Sequence, residues 1–148
     1  FMLQGFTSWV RADGVTLDLA GRDLLVYRVA VMVPTGSATG AAVGLFERTG
    51  PTESRDRNAV WLTPGQEIMA AGAVYGYTGI TCQAKTWYEV QVGIDYAAST
   101  MDVWIDGVKV IIGLPAWPKV EPNVFFVGTL WSPSGGLTTA YFDDVQLY

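Results

Sequence analysis

The chain has 148 residues, of which 50% are hydrophobic and 16% charged, with 9 Lys+Arg against 14 Asp+Glu. That length suits one domain able to bury roughly 68–70% of the surface its unfolded chain exposes. An aromatic content of 13% and a positive mean hydropathy exclude a disordered segment. The net charge of −5, with no Lys/Arg cluster, offers no phosphate footprint, so no nucleic-acid partner is expected.

Histidine is absent, which removes Ser-His-Asp and Cys-His nucleophile systems, His-ligated zinc and the usual general base near neutral pH. Cys82 stands alone, so neither an intrachain disulfide nor a Cys-based zinc site can form. Phe1 precedes Met2 with no basic n-region and apolar h-region before them, as expected of a processed chain or a segment of a longer one. The longest charge-free stretch, 122–142, is broken by Pro and Gly and is no transmembrane helix, so no membrane insertion is expected.

Gly and Pro cut the chain into short pieces, and between the cuts the period is two. LLVYRVAVMV (24–33) is apolar at every other position from Leu25, with Arg28 the one charge on its second face; such continuous apolarity predicts a strand covered on both sides. AAVGLFER (41–48) and NAVWLT (58–63) are β-rich runs, 66–71 has room for at most one or two helical turns, and AVYGYTGITCQ (73–83) is again β-rich. WYEVQVGID (87–95) alternates cleanly: Tyr88, Val90, Val92 and Ile94 share one face, with Glu89, Gln91 and Gly93 on the other. After a loop at 95–99 comes TMDVWIDG, with Met101, Val103 and Ile105 alternating against Asp102, Trp104 and Asp106. Asp106-Gly107 is a two-residue hairpin signal, because a type I′ turn needs positive φ at both central positions. Val108, Val110 and Ile112 are expected to line the returning strand. NVFFVGTLW (123–131) and LTTAYFDDVQLY (137–148) close the chain. In the last run the apolar register slips by one at Asp143-Asp144, as a β-bulge would make it.

About a dozen short strands and no clean helical stripe predict an all-β, two-sheet antiparallel sandwich in a single domain, 1–148. WYEVQVGID, TMDVWIDGVKV, the late FFVGT strand and the closing AYFDDVQLY resemble, in order and spacing, the concanavalin A-like lectin/glucanase superfamily, with the LamG-like jelly-roll branch as the nearest match. The resemblance covers roughly the last 65 residues and implies a jelly roll, although a fold is not a function. Glucanases of that superfamily carry a Glu-x-Asp-x-x-Glu strand motif whose paired carboxylates do the chemistry. None of Glu47, Glu53, Glu67, Glu89 or Glu121 stands in that context. Lyases of the fold use His or Gln with Tyr and Arg, and there is no His, so no enzyme is expected.

The resemblance implies a non-catalytic glycan-binding or adhesion module, extracellular or on a cell or virion surface. The sugar-contacting candidates are Trp104, on the polar side of its strand, and the loop residues Trp117 and Trp131, with Gln91 and Asp102 supplying hydrogen bonds. Trp9, Trp61 and Trp87 are assigned to the core. The resemblance also implies one structural calcium, for which Asp143 and Asp144 are the named ligands, with Asp13 or Asp18 as conceivable partners. The alternative bland role for that pair is a capped, solvated bulge. Two further readings are a structural subunit of a surface assembly, held by self-association or contacts with other subunits through low charge and the apolar start FMLQGF, and a degenerate polysaccharide hydrolase or lyase.

Overall fold

The computed structural model describes residues 2–5, 15–48, 54–119, 123–129 and 138–148. They form twelve strands: β1 (Met2–Gly5), β2 (Val15–Leu17), β3 (Leu24–Met32), β4 (Ala41–Arg48), β5 (Ser54–Leu62), β6 (Glu67–Ala71), β7 (Tyr75–Thr81), β8 (Trp87–Asp95), β9 (Thr100–Ile105), β10 (Val108–Pro115), β11 (Asn123–Thr129) and β12 (Thr138–Leu147). No helix occurs among the described residues. One sheet runs β1-β12-β3-β8-β9-β10 and the other β2-β11-β4-β5-β6-β7, and all pairings are antiparallel. The first four strands alternate between the sheets, β4–β7 meander in one, β8–β10 meander in the other, and the last two strands insert beside their early partners. This is a β-sandwich jelly roll.

Alternation decides what lies inside. Tyr88, Val90, Val92, Ile94, Met101, Val103 and Ile105 are all buried, as their period predicts, and so are Leu25, Tyr27, Val29 and Val31 of β3. From the opposite sheet Val43, Leu45, Val60, Leu62, Ile68, Phe125 and Val127 meet them in one core. The Tyr27 and Phe125 rings tilt against each other across the layer, centroids 5.4 Å apart. The Asp106-Gly107 turn has φ 51° and 76°, and Val108 pairs with Ile105, giving the expected I′ hairpin. In β12 the register slips by one residue between Asp143 and Gln146, with Asp144 at φ 47°. The bulge lies where the sequence put it.

Four expectations are corrected. Residues 66–71 form no helical turn: Ile68 and Ala70 point into the core, and β6 is paired on both sides, by β5 and β7. β3 is buried on one face, while its other face is half-exposed or exposed; apolar size there reflects packing along the sheet surface rather than a second cover. In β10 the register shifts after Lys109 and again after Ile111, so Ile111 is buried and Ile112 is 76% exposed. Gly113, at φ 65°, supplies the backbone freedom for that irregularity. Trp61 is half-buried and Trp87 exposed rather than in the core. Their own strands explain this, because Val60 and Leu62, like Tyr88, take the inward parity. Trp9, Asp13 and Trp131 lie outside the described residues.

A second bulge shapes the other sheet. Between β4 and β5, Gly44 faces Ala59 and Leu45 faces Arg57, leaving Asn58 as the extra residue. Asn58 is buried and takes φ 49°, a conformation Asn tolerates better than most residues. Its side chain clamps the peptide of Trp117: Trp117 N–H donates to Oδ1 at 2.8 Å and Nδ2 donates to the Trp117 carbonyl at 3.1 Å. Its own carbonyl accepts the buried Tyr27 hydroxyl at 2.9 Å. Opposite, a Cβ on Gly44 would come within 2.5 Å of the Ala59 Cα, so only glycine fits.

Candidate functional site

The two sheets present outer faces of different chemistry. On the first, β-pairing lines up Gln146, Arg28, Gln91, Trp104 and Lys109 in one row, with Asp102 opposite Gly93 in the next. The structure therefore brings Gln91, Asp102 and Trp104 together. Asp102 and Trp104 are already engaged, however. The Trp104 ring lies where a Cβ on Gly93 would touch it at 3.4 Å, and the Lys109 ammonium sits 4.6 Å from the ring centroid. Lys109 Nζ also bonds Asp102 Oδ2 at 2.7 Å, and Asp102 Oδ1 accepts the Gly113 N–H at 2.7 Å. The Lys109 hydrogen bond holds the Asp102 carboxyl below the usual carboxylate range against the opposing effect of burial, with further help from the Gly113 N–H and the Lys109 charge. Asp102 pins the irregular β10 to β9.

Farther along the same face Arg28 bonds Glu89 at 2.5 Å and approaches Asp144 at 3.9 Å. Gln146 Nε2 donates to Asp144 Oδ1 at 2.6 Å, and the Tyr148 hydroxyl donates to Gln146 Oε1. Asp143 Oδ1 accepts the Asp144 N–H at 2.9 Å. This is how a bulge clasps itself. A calcium ion at Asp143 and Asp144 would compete with a guanidinium, and among the described residues no group of three acidic, His or Cys side chains converges anywhere. Asp18 caps Ala20 N–H at 3.0 Å. These residues do not fit a calcium site.

Trp117 belongs to neither row. Asn58 clamps its peptide, and the Arg57 guanidinium lies 4.0 Å from its ring centroid, so a stacking face is taken from within the chain.

The second sheet carries what sequence reading assigned elsewhere. Trp61 pairs with Met69 and Met69 with Tyr77 across three adjacent strands. Tyr75 stands in the neighbouring row beside Ala71, its ring 5.7 Å from that of Trp61. Tyr75 and Tyr77 are 61% and 64% exposed. The alternation in YGYTGIT produces this, since Gly76 turns inward to admit Leu114 of the facing sheet and the tyrosines turn out. Beside them lies a depression of about 240 Å³ lined by Trp61, Thr63, Gln66, Glu67, Met69 and Tyr77. Toward the centre of the same face, Phe126 and Val124 bury the small side chains Ala42 and Ala59, with Trp61 at their margin. Trp61 is thus anchored by an apolar cluster on one side and opens onto the depression on the other. The depression is smaller than the roughly 300–1,000 Å³ of a site enclosing a whole small ligand, so it suits one ring of a longer molecule.

The lining of the depression holds no pair of carboxylates. The lining holds one carboxylate, Glu67, where a retaining glycosidase needs two about 5–5.5 Å apart. Glu89 is neutralised by Arg28, and Asp106 Oδ1 is spent on the Glu89 N–H at 2.8 Å. Burial holds the Tyr27 phenol well above its ordinary value, with Tyr96 adding to the rise, and pushes Tyr96 up to about 12; neither is a base at neutral pH. Burial likewise pushes the Cys82 thiol up to about 11, which keeps it unreactive.

Comparison with known proteins bears on the fold. No protein-family model matches the chain, and no curated protein does. Among solved structures, a sialidase matches 99% of this chain at TM-score 0.65 and 12% identity. An endo-β-1,4-glucuronan lyase from Trichoderma reesei matches 99% at 0.61 and 14%, and a carbohydrate-binding module, CBM66, from Bacillus subtilis matches 96% at 0.52 and 14%. The chain spans 15% of the sialidase's length, 79% of the lyase's and 96% of the module's. The shared feature is the fold, a jelly-roll β-sandwich, found in the sialidase, the lyase and the binding module alike.

Proposed function

We propose that this chain is a non-catalytic carbohydrate-binding module, a single LamG-like domain that works at an extracellular or surface location. Its glycan lies on the outer face of the second sheet, across Trp61, Met69, Tyr75 and Tyr77. The observation that carries this reading is the group of three aromatic side chains, Trp61 from β5 and Tyr75 and Tyr77 from β7 on either side of Met69 in β6, two of them well exposed, beside a shallow depression with a polar rim. Pyranose C–H faces pack on aromatic rings, while Thr63, Gln66 and Glu67 can take hydroxyls. The match in both length and fold to a carbohydrate-binding module supports it, as does the single carboxylate at the depression. Trp104, Gln91 and Asp102 then hold the first sheet together and contact no sugar.

The test is a glycan array followed by calorimetry on wild type and on Trp61→Ala, Tyr77→Ala and Trp104→Ala. The first two should weaken binding about tenfold or more, equivalent to about 1.4 kcal/mol, and Trp104→Ala should leave it unchanged. Loss with Trp104→Ala alone would move the site to the first sheet. Turnover of a bound polysaccharide would end the non-catalytic reading.

A further inference from the structure

The lining of the depression carries charge of one sign only. None of its six lining residues is basic, and Glu67 is the one charged group among them. Glu67 is held in place: its Oε1 accepts the Gly79 N–H at 2.5 Å. That N–H is presented by an irregularity in β7, where Thr81 faces Glu67 and Tyr77 faces Met69, so two extra residues bulge out. Gly79 takes φ 77° there. Thr78 secures the bulge by donating from Oγ1 to the Ile68 carbonyl at 2.9 Å and accepting the Ile80 N–H at 3.2 Å. One carboxylate oxygen of Glu67 is thus committed to the sheet. Among the described residues the other makes no hydrogen bond and can accept one at the rim.

A sugar hydroxyl can donate to that oxygen, and Gln66 and Thr63 can both donate and accept. A sugar carboxylate meets the opposite situation. Among the six lining residues it meets no cation and finds a fixed like charge. Among the described cations Arg28 is engaged with Glu89, Lys109 with Asp102, Arg57 over Trp117 and Lys119 with the carbonyls of Leu19 and Arg22, and neither Arg22 nor Lys85 lines the depression. The net charge of −5 adds repulsion at longer range. Building on the glycan-binding reading above, we infer that this site selects neutral glycans and rejects uronate- or sialate-bearing ones, with Glu67 as the residue that discriminates.

The experiment uses pairs of oligosaccharides that differ only by oxidation at C6: β-glucan and β-glucuronan, mannan and mannuronan, galactan and galacturonan. Each pair is titrated into wild type, Glu67→Gln and Trp61→Ala. The glutamine keeps an oxygen for the Gly79 N–H, and an unchanged melting temperature confirms that the bulge is intact. Wild type should bind at least one neutral member, with its uronate partner about tenfold weaker or worse, and the gap should shrink as salt rises from about 20 mM to about 500 mM. Glu67→Gln should narrow the gap mainly by improving the uronate. If wild type binds a uronate as well as its neutral partner, and Trp61→Ala abolishes both, the charge inference falls while the glycan site stands. If no member binds, or Trp61→Ala changes nothing, the glycan-binding reading falls and takes the inference with it.

Discussion

The two outer faces of the sandwich spend their side chains in opposite ways. On the first sheet the charged groups pair with others from the same face: Arg28 with Glu89, Lys109 with Asp102, Asp144 with Gln146. The charges of that face are paired and Trp104 at its centre is capped by a lysine, while Trp87 stands exposed at the end of β8. On the second sheet, aromatic side chains stand open beside Thr63, Gln66 and Glu67. A surface whose charges are internally paired gains little from a charged or polar ligand. A surface with exposed rings and spare donors and acceptors gains more. The difference shows that an outward tryptophan in a sequence marks a binding face only if its neighbours leave it free.

The largest test of this contrast compares two glycines. At Gly44, in the second sheet, alanine would force a Cβ to 2.5 Å from the Ala59 Cα at a φ of 151°, and the backbones of β4 and β5 cannot part without opening the face. Gly44→Ala should cost about 3 kcal/mol or more in chemical unfolding. At Gly93, in the first sheet, the same substitution meets only the Trp104 ring at 3.4 Å and should stay within about 1 kcal/mol of wild type. Equal costs would mean that the bulge does not shape the second face.

Next in size is the clamp behind that face. Asn58→Ala removes both bonds to the Trp117 peptide and places a residue with no αL preference at φ 49°. A loss of about 2–3 kcal/mol is expected. Asn58→Gly restores the backbone but not the bonds, and should recover part of the loss. No recovery would assign the whole effect to the side chain.

Much of the fold could be read from alternation. The hairpin from 87 to 110 and the slip at Asp143-Asp144 follow from period two and from turn chemistry that needs positive φ. β6 was hidden because EIMAA is short and rich in residues that suit helices, and only pairing on both sides makes it a strand. The course of β10 was hidden because Gly113 lets the backbone step twice out of register. The site was half-legible. Strict parity in NAVWLT and YGYTGIT already turns Trp61, Tyr75 and Tyr77 away from Val60, Leu62 and Ile80. The general expectation that a large apolar ring seeks the core overrode that signal for Trp61. That Trp104 would be covered by Lys109 was not visible, since it depends on the register between β9 and β10.

A smaller effect concerns the charges of the first face. Arg28→Met deletes a half-exposed ion pair with Glu89 and the longer approach to Asp144. Exposed pairs contribute about 0–1 kcal/mol, weakened by salt. The cost should be below about 1 kcal/mol at low salt and close to zero at about 1 M. It should also leave glycan binding unchanged, because the pair lies on the opposite face. Weaker binding in Arg28→Met would break the division between the faces.

The smallest expected effect is a pH dependence confined to acid. Hydrogen bonds from Lys109 and the Gly113 N–H hold the folded Asp102 carboxyl below its ordinary range, so the folded state binds this proton less readily than the unfolded chain. The resulting stability is present in full above the ordinary aspartate value of about 3.9. It fades as pH falls through the lower folded value, where protonation breaks the bond to Lys109 and loosens β10 from β9. Melting curves of wild type and Asp102→Asn should therefore differ by a constant small amount from about pH 5 to 7 and converge below about pH 3. Glycan affinity measured over the upper range should be the same for both proteins. A stability difference that persisted unchanged at the acid end would show that Asp102 acts through its shape and its bond to Gly113 rather than through its charge, leaving Lys109 to be held by the Trp104 ring alone.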